Sequence, residues 1–218
     1  MMETMKRERW EAAIGYLVVA LGIAAAAFER GAPPANAPAA EAVAFFTQYR
    51  RELLAQSLLF VLSAGAYLWF FGSLRSYLLR AEGGNGRLST VMFGAGIIWA
   101  GMQMVFQSGQ VALALGAGGS ADPAVAGLIR DFTYALSVVA YVPMAVTLTA
   151  AAAVSLATRA FPAWLGWLSV VTAGANLLMS FGIVFDTGLL VPGGALTYLL
   201  YALTPVWLVA VTTCMVRR

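Results

Sequence analysis

LSTVMFGAGIIWAGMQMVFQSGQVALALGAGGSA, residues 88–121, runs for 34 residues without a Lys, Arg, Asp or Glu. About 20 largely apolar residues suffice for a helix to cross a hydrocarbon core, so this segment reads as a crossing. Five further stretches lack formal charge: 12–28, 53–74, 132–158, 160–185 and 187–216. Each holds 17 or more residues, and little chain separates them. The pattern predicts an all-α integral membrane bundle of six transmembrane helices. They are expected over about 10–28, 53–74, 89–115, 132–157, 164–185 and 195–216.

These spans use most of the 218 residues, 61% of which are hydrophobic, against roughly 45–50% apolar residues in a soluble domain. Residues 1–218 are therefore expected to form one transmembrane domain with no separate soluble unit.

The residues that are missing narrow the chemistry. There is no histidine, which removes His-ligated haem, most zinc and copper sites and His-based proton transfer. One cysteine, Cys214, cannot form an intrachain disulfide, and it reads as an inert thiol at the end of the last span. No Gly-x-Ser-x-Gly, His-Glu-x-x-His or Cys-x-x-Cys occurs. The net charge of +3 comes without a dense basic, aromatic-rich cluster, so no nucleic-acid partner is expected. No cofactor and no metal are expected either.

The cations set the orientation. With the amino terminus inside, Lys6, Arg7, Arg9, Arg75, Arg80, Arg87, Arg159, Arg217 and Arg218 are cytoplasmic, and Arg30, Arg50, Arg51 and Arg130 lie outside. The bias is nine against four, and six spans put both termini inside. Lys6, Arg7 and Arg9 before an apolar run also match a cleavable secretory signal. The five spans that follow favour a retained first helix.

Three shorter segments complete the layout. After a Pro/Ala-rich stretch, Val43, Phe46, Tyr49 and Leu53 are spaced for a short amphipathic helix at the outer interface before the second span. Residues 73–89 carry three arginines around a glycine-rich turn. With no preceding strand and no Gly-Lys-Ser/Thr ending, they predict a helix extension meeting anionic headgroups. Weak repetition links Ala100-Gly101-Met102-Gln103 with Ala173-Gly174-Ala175-Asn176. It also links Thr133-Tyr134 and Pro143 with Thr197-Tyr198 and Pro205.

The sharpest polar signal is Gln103, Gln107 and Gln110, spaced four and three apart and so on one helical face. Amides placed in hydrocarbon must find partners. Comparable stripes are Ser169, Thr172, Asn176 and Ser180 on the fifth span, and Gln56, Ser63 and Tyr67 on the second. Tyr201 and Thr204 precede Pro205 on the sixth. These are expected to converge as an internal polar seam between spans two, three and five, with Gln103, Gln107, Gln110, Asn176, Gln56, Tyr67 and Tyr201 lining a ligand site or pore. No ionisable residue falls near a predicted midplane. An outer rim of Arg50, Arg51, Arg130, Asp131 and Asp186 is expected, with Asp131 as the N-terminal charge of span four.

Phe161-Pro162-Ala163-Trp164-Leu165-Gly166-Trp167-Leu168 contains Pro-x-Trp-Leu-Gly-Trp at the start of a late helix. Together with the inner loop at 78–84 and the basic leader, it resembles a bacterial family of small polytopic membrane proteins. That family is known only as domain of unknown function four-three-eight-six. The resemblance implies an all-helical bundle in a bacterial cytoplasmic (inner) membrane and supplies no activity or site residues.

The expected function is that of a non-enzymatic binding or accessory component of a membrane assembly, in contact with lipids and with a membrane-protein partner or further copies of itself. The alternative is a small transporter or channel for an uncharged or weakly polar solute. An intramembrane enzyme would have to use Asp131, Asp186, a tyrosine or Cys214, and lacks a carboxylate pair to build on.

Overall fold

A computed structural model describes residues 2–31, 33, 37–116, 122–184 and 195–217. Nine α-helices are found among them, and no strand. They are α1 (Met2–Ala26), α2 (Ala39–Gln48), α3 (Arg50–Glu82), α4 (Arg87–Gly116), α5 (Pro123–Val139), α6 (Tyr141–Thr158), α7 (Ala163–Ser180), α8 (Ala195–Tyr201) and α9 (Leu203–Val216). A 3-10 turn, Phe181–Ile183, extends α7.

Five rods are long and apolar enough to cross a membrane: α3, α4, the α5–α6 pair over Pro123–Thr158, α7 with its extension, and the α8–α9 pair over Leu196–Val216. The expected first span is the exception. Charged residues from Glu3 to Glu11 occupy the first turns of α1, leaving 17 apolar residues, Trp10–Ala26. The helix then tightens and stops, with Phe28 and Glu29 N–H groups on the carbonyls of Ala25 and Ala26, both at 3.0 Å.

Several boundaries differ from the sequence reading for identifiable reasons. The fourth rod begins at Pro123, not near 132, because Asp122 is its N-cap and accepts from Ala124 N at 2.9 Å, with proline in the first turn. The fourth and sixth rods are each interrupted once, at Ala140 and Ala202. Pro143 and Pro205 lie three residues beyond these breaks, where proline has no N–H for the preceding turn. The second rod runs on to Glu82, as the helix extension predicts, and the short helix before it is α2.

Packing closes a ring. α1 packs on α3, α3 on α4, α4 on α6, α6 on α7, α7 on α9, and α9 back on α1. Small residues permit the close approaches. A Cβ on Gly15 would collide with Thr212 Oγ1 and crowd the Phe70 ring, so glycine lets α1 sit against α9 and α3. Gly96 lies directly under the Phe71 ring. Ala150, Ala151 and Ala152 are buried on α6, which separates α4 from α7.

The middle of the ring is filled. Phe70, Phe71, Leu74, Leu78, Met92, Leu148, Leu165 and Leu208 have no exposed surface. Phe70 meets Trp207 edge-on at 6.4 Å, and Phe71 meets Trp99 at 6.4 Å.

Candidate functional site

The polar residues sort into two groups on opposite sides of this apolar centre. The first lies where α3 and α4 meet the end of α1. Gln110 Nε2 donates to Gln56 Oε1 at 3.0 Å, and Gln56 Nε2 donates to Glu29 Oε2 at 2.7 Å. An exposed carboxylate thus continues as an amide chain into the bundle, where Gln56 is only 4% exposed.

Antiparallel packing explains the register. Gln56 faces Gln110, while further along Tyr67 meets Trp99 edge-on at 4.7 Å and stacks on Phe71 at 5.5 Å. One turn from Gln110, on the same face, Gln107 is buried and its Oε1 has no donor among the described residues. Ser57 Oγ, beside Gln56, is likewise buried and unsatisfied. Leaving such a group unpaired costs about 1–3 kcal/mol. Gln103, a further turn along, is half-buried.

The second group joins α7 to α9. Trp207 Nε1 donates to Ser169 Oγ at 2.7 Å, and that hydroxyl donates to Leu165 O at 2.8 Å. Asn176 Nδ2 donates to Thr172 O at 2.9 Å and reaches Thr204 Oγ1 at 3.4 Å. These are interhelical bonds with their donors engaged. The structure therefore does not bring Asn176 to the glutamines, because α6 and the aromatic centre stand between α4 and α7. The seam expected between spans two, three and five is two separate contacts: α1–α3–α4 and α7–α9.

Tyr201, at the end of α8, is 42% exposed. It lies within electrostatic reach of Tyr67 and Tyr141, so α8 faces α3 and α6 through its tyrosines.

At the rim, Arg50 and Arg51 are exposed. Arg130 is more constrained. Its guanidinium pairs with Asp131 at 3.1 Å and donates from Nη1 to Ala37 O at 2.7 Å, tying α5 to the segment that leads into α2. Asp131 therefore lies two turns inside α5 and is not its N-terminal charge. Asp186 lies outside the described residues.

Two participants escaped the sequence reading. Glu29 was discounted because it follows the last apolar residue of α1, and Ser57 because a single serine beside Gln56 extends no stripe. Asp122-Pro123, an N-cap residue followed by proline, was the available signal for the true start of α5. Among the described residues, no three His, Cys, Asp or Glu side chains gather as a metal site.

Searches of family models, curated proteins and solved structures gave no match to this chain.

Proposed function

We propose that this chain is a six-crossing membrane protein of a bacterial inner membrane, with both termini cytoplasmic. It acts as a non-enzymatic binding or accessory component through the polar group at α1, α3 and α4. Although its apolar part is short, the 25 residues of α1 extend about 37 Å at 1.5 Å per residue, long enough to complete the crossing. Its antiparallel contacts with α9, such as Tyr16 Oη to Thr213 Oγ1 at 2.9 Å, support same-side termini. The likeness around 161–168 to the family of unknown function supports the compartment.

One observation carries the binding role: Gln107 holds a buried amide oxygen without a donor beside the Glu29–Gln56–Gln110 chain. An uncharged donor from a ligand or a partner helix would satisfy it. Purification in native membrane discs tests this. The wild type is expected to retain a stoichiometric partner or small molecule that Gln107→Leu loses. Recovery of bare protein from wild-type membranes refutes the reading.

The breaks at Ala140 and Ala202, each beside a proline, favour a second reading as a transporter of weakly polar solutes that flexes there. The filled centre at Phe70, Phe71 and Trp207 weighs against a standing pore. Solute flux in proteoliposomes that disappears in Gln107→Leu would establish transport. Unchanged flux in a Gln103→Leu/Gln107→Leu double variant would remove these residues from the path.

A further inference from the structure

A cavity of about 130 Å³ opens between α2, the last turns of α4 and the first turns of α5, away from the polar groups described above. Its lining is apolar throughout and includes Val43, Phe46, Ala112, Leu113, Ala126 and Ile129. A water molecule needs two to four polar partners, which these walls do not offer. An α-helix with its side chains is about 10 Å across, too wide to enter. A slim, flexible apolar chain fits.

The surroundings identify the source of that chain. From the mouth, the face of α5 continues as exposed apolar surface, with Val125 54%, Leu128 72% and Phe132 58% exposed. That surface is continuous with whatever hydrocarbon surrounds the bundle. Charge stands one helical turn from the cavity wall. Arg50 lies four residues beyond Phe46, and the helical bonds Tyr49 N to Phe45 O and Leu53 N to Tyr49 O, both 3.0 Å, keep the register through the junction. Arg50 and Arg51 are exposed, whereas Arg130 is engaged by Asp131 and Ala37. The Arg130 bond to Ala37 O also holds the start of α2 in place as one wall.

We infer that this cavity seats an acyl chain of one phospholipid, with its phosphate bound by Arg50 and Arg51. Arginine presents a planar fork of donors suited to phosphate. Tail and headgroup thus meet separate, adjoining surfaces, and α2 becomes a strap over a bound lipid. The assignment does not depend on the Gln107 site.

Native mass spectrometry of the full chain, released from vesicles containing phosphatidylethanolamine and diacylglycerol, tests it. The wild type is expected to keep one phospholipid through partial delipidation. Ala126→Phe fills the cavity and should reduce that bound form to background, with an unchanged thermal midpoint showing that the fold survives. Arg50→Gln/Arg51→Gln leaves the packing intact and should weaken phospholipid retention about tenfold, the loss of one charge-assisted contact. Gln107→Leu should leave it unchanged. Retention of diacylglycerol equal to that of phospholipid, or full lipid occupancy in Ala126→Phe, overturns the inference.

Discussion

At one end of the bundle α3 passes to α4 through residues 83–86 and α6 to α7 through 159–162, and both turns are fastened. Glu82 accepts from the N–H groups of Leu88 and Ser89, each at 2.8 Å, and from the Ser89 hydroxyl. Gly83, Gly84 and Gly86 take positive φ, as does Arg159. Tyr77 donates to Ala160 O at 2.8 Å and stacks on Phe161 at 4.8 Å. Arg75 lies over the Phe93 ring, 5.8 Å from its centroid, so one of the arginines expected to face headgroups is held by an aromatic face. At the other end the connections 27–38, 117–122 and 184–194 are longer. There the buried oxygens of Gln107 and Ser57 have no donor, and an apolar cavity opens beside α2. One end is built to hold the helices together. The other carries the polar and apolar sites.

If the fastened half supplies stability, truncating its core should cost most. Phe71 has no exposed surface and packs on Gly96, Tyr67 and Trp99. Phe71→Ala is expected to destabilise the protein by about 3–5 kcal/mol, read as a lower midpoint in detergent unfolding. A loss below about 1 kcal/mol would show that the centre is looser than its burial indicates.

The fastened turn provides the next contrast. Glu82 satisfies two N–H groups in the first turn of α4, a capping role worth about 0.5–2 kcal/mol. Glu82→Ala should lower stability by that amount and accelerate amide exchange at Leu88 and Ser89 first. Unchanged exchange there would mean that the glycine-rich turn holds without its carboxylate.

At the far end the sign reverses. Gln107→Leu removes an unsatisfied buried oxygen while nearly preserving volume, and should stabilise the isolated protein by about 1 kcal/mol. Destabilisation by a similar amount would show that the amide already has a partner, and would erase the difference between the ends.

Much of this architecture is legible in sequence, because charge-free runs report burial in hydrocarbon regardless of local detail. Residues 88–121 announce α4, and the spacing of Gln103, Gln107 and Gln110 correctly predicts a shared helical face. Pairing between rods is not legible. Whether Asn176 faces Gln107 or Thr204 depends on helix order around the ring, and small residues on α6 suit either neighbour. The α5 start was missed because apolarity was weighed above the Asp122-Pro123 cap. The first span was overcounted because a run of 17 residues sits just below the crossing length.

The smallest expected effect concerns α2, where the two ends differ least in stability and most in role. Arg130 forms a partly exposed pair with Asp131, and such pairs contribute about 0–1 kcal/mol. Arg130→Gln should therefore barely move the unfolding midpoint. Its bond to Ala37 O is a separate matter, because that contact crosses from α5 to the start of α2. Losing it should release α2 locally, with faster amide exchange across Ala39–Gln48 and none of that change at Leu88 or Ser89. If α2 stays protected, the cavity wall is held by Phe45, Phe46 and Tyr49 packing alone, and the strap depends on aromatic contacts rather than on the arginine.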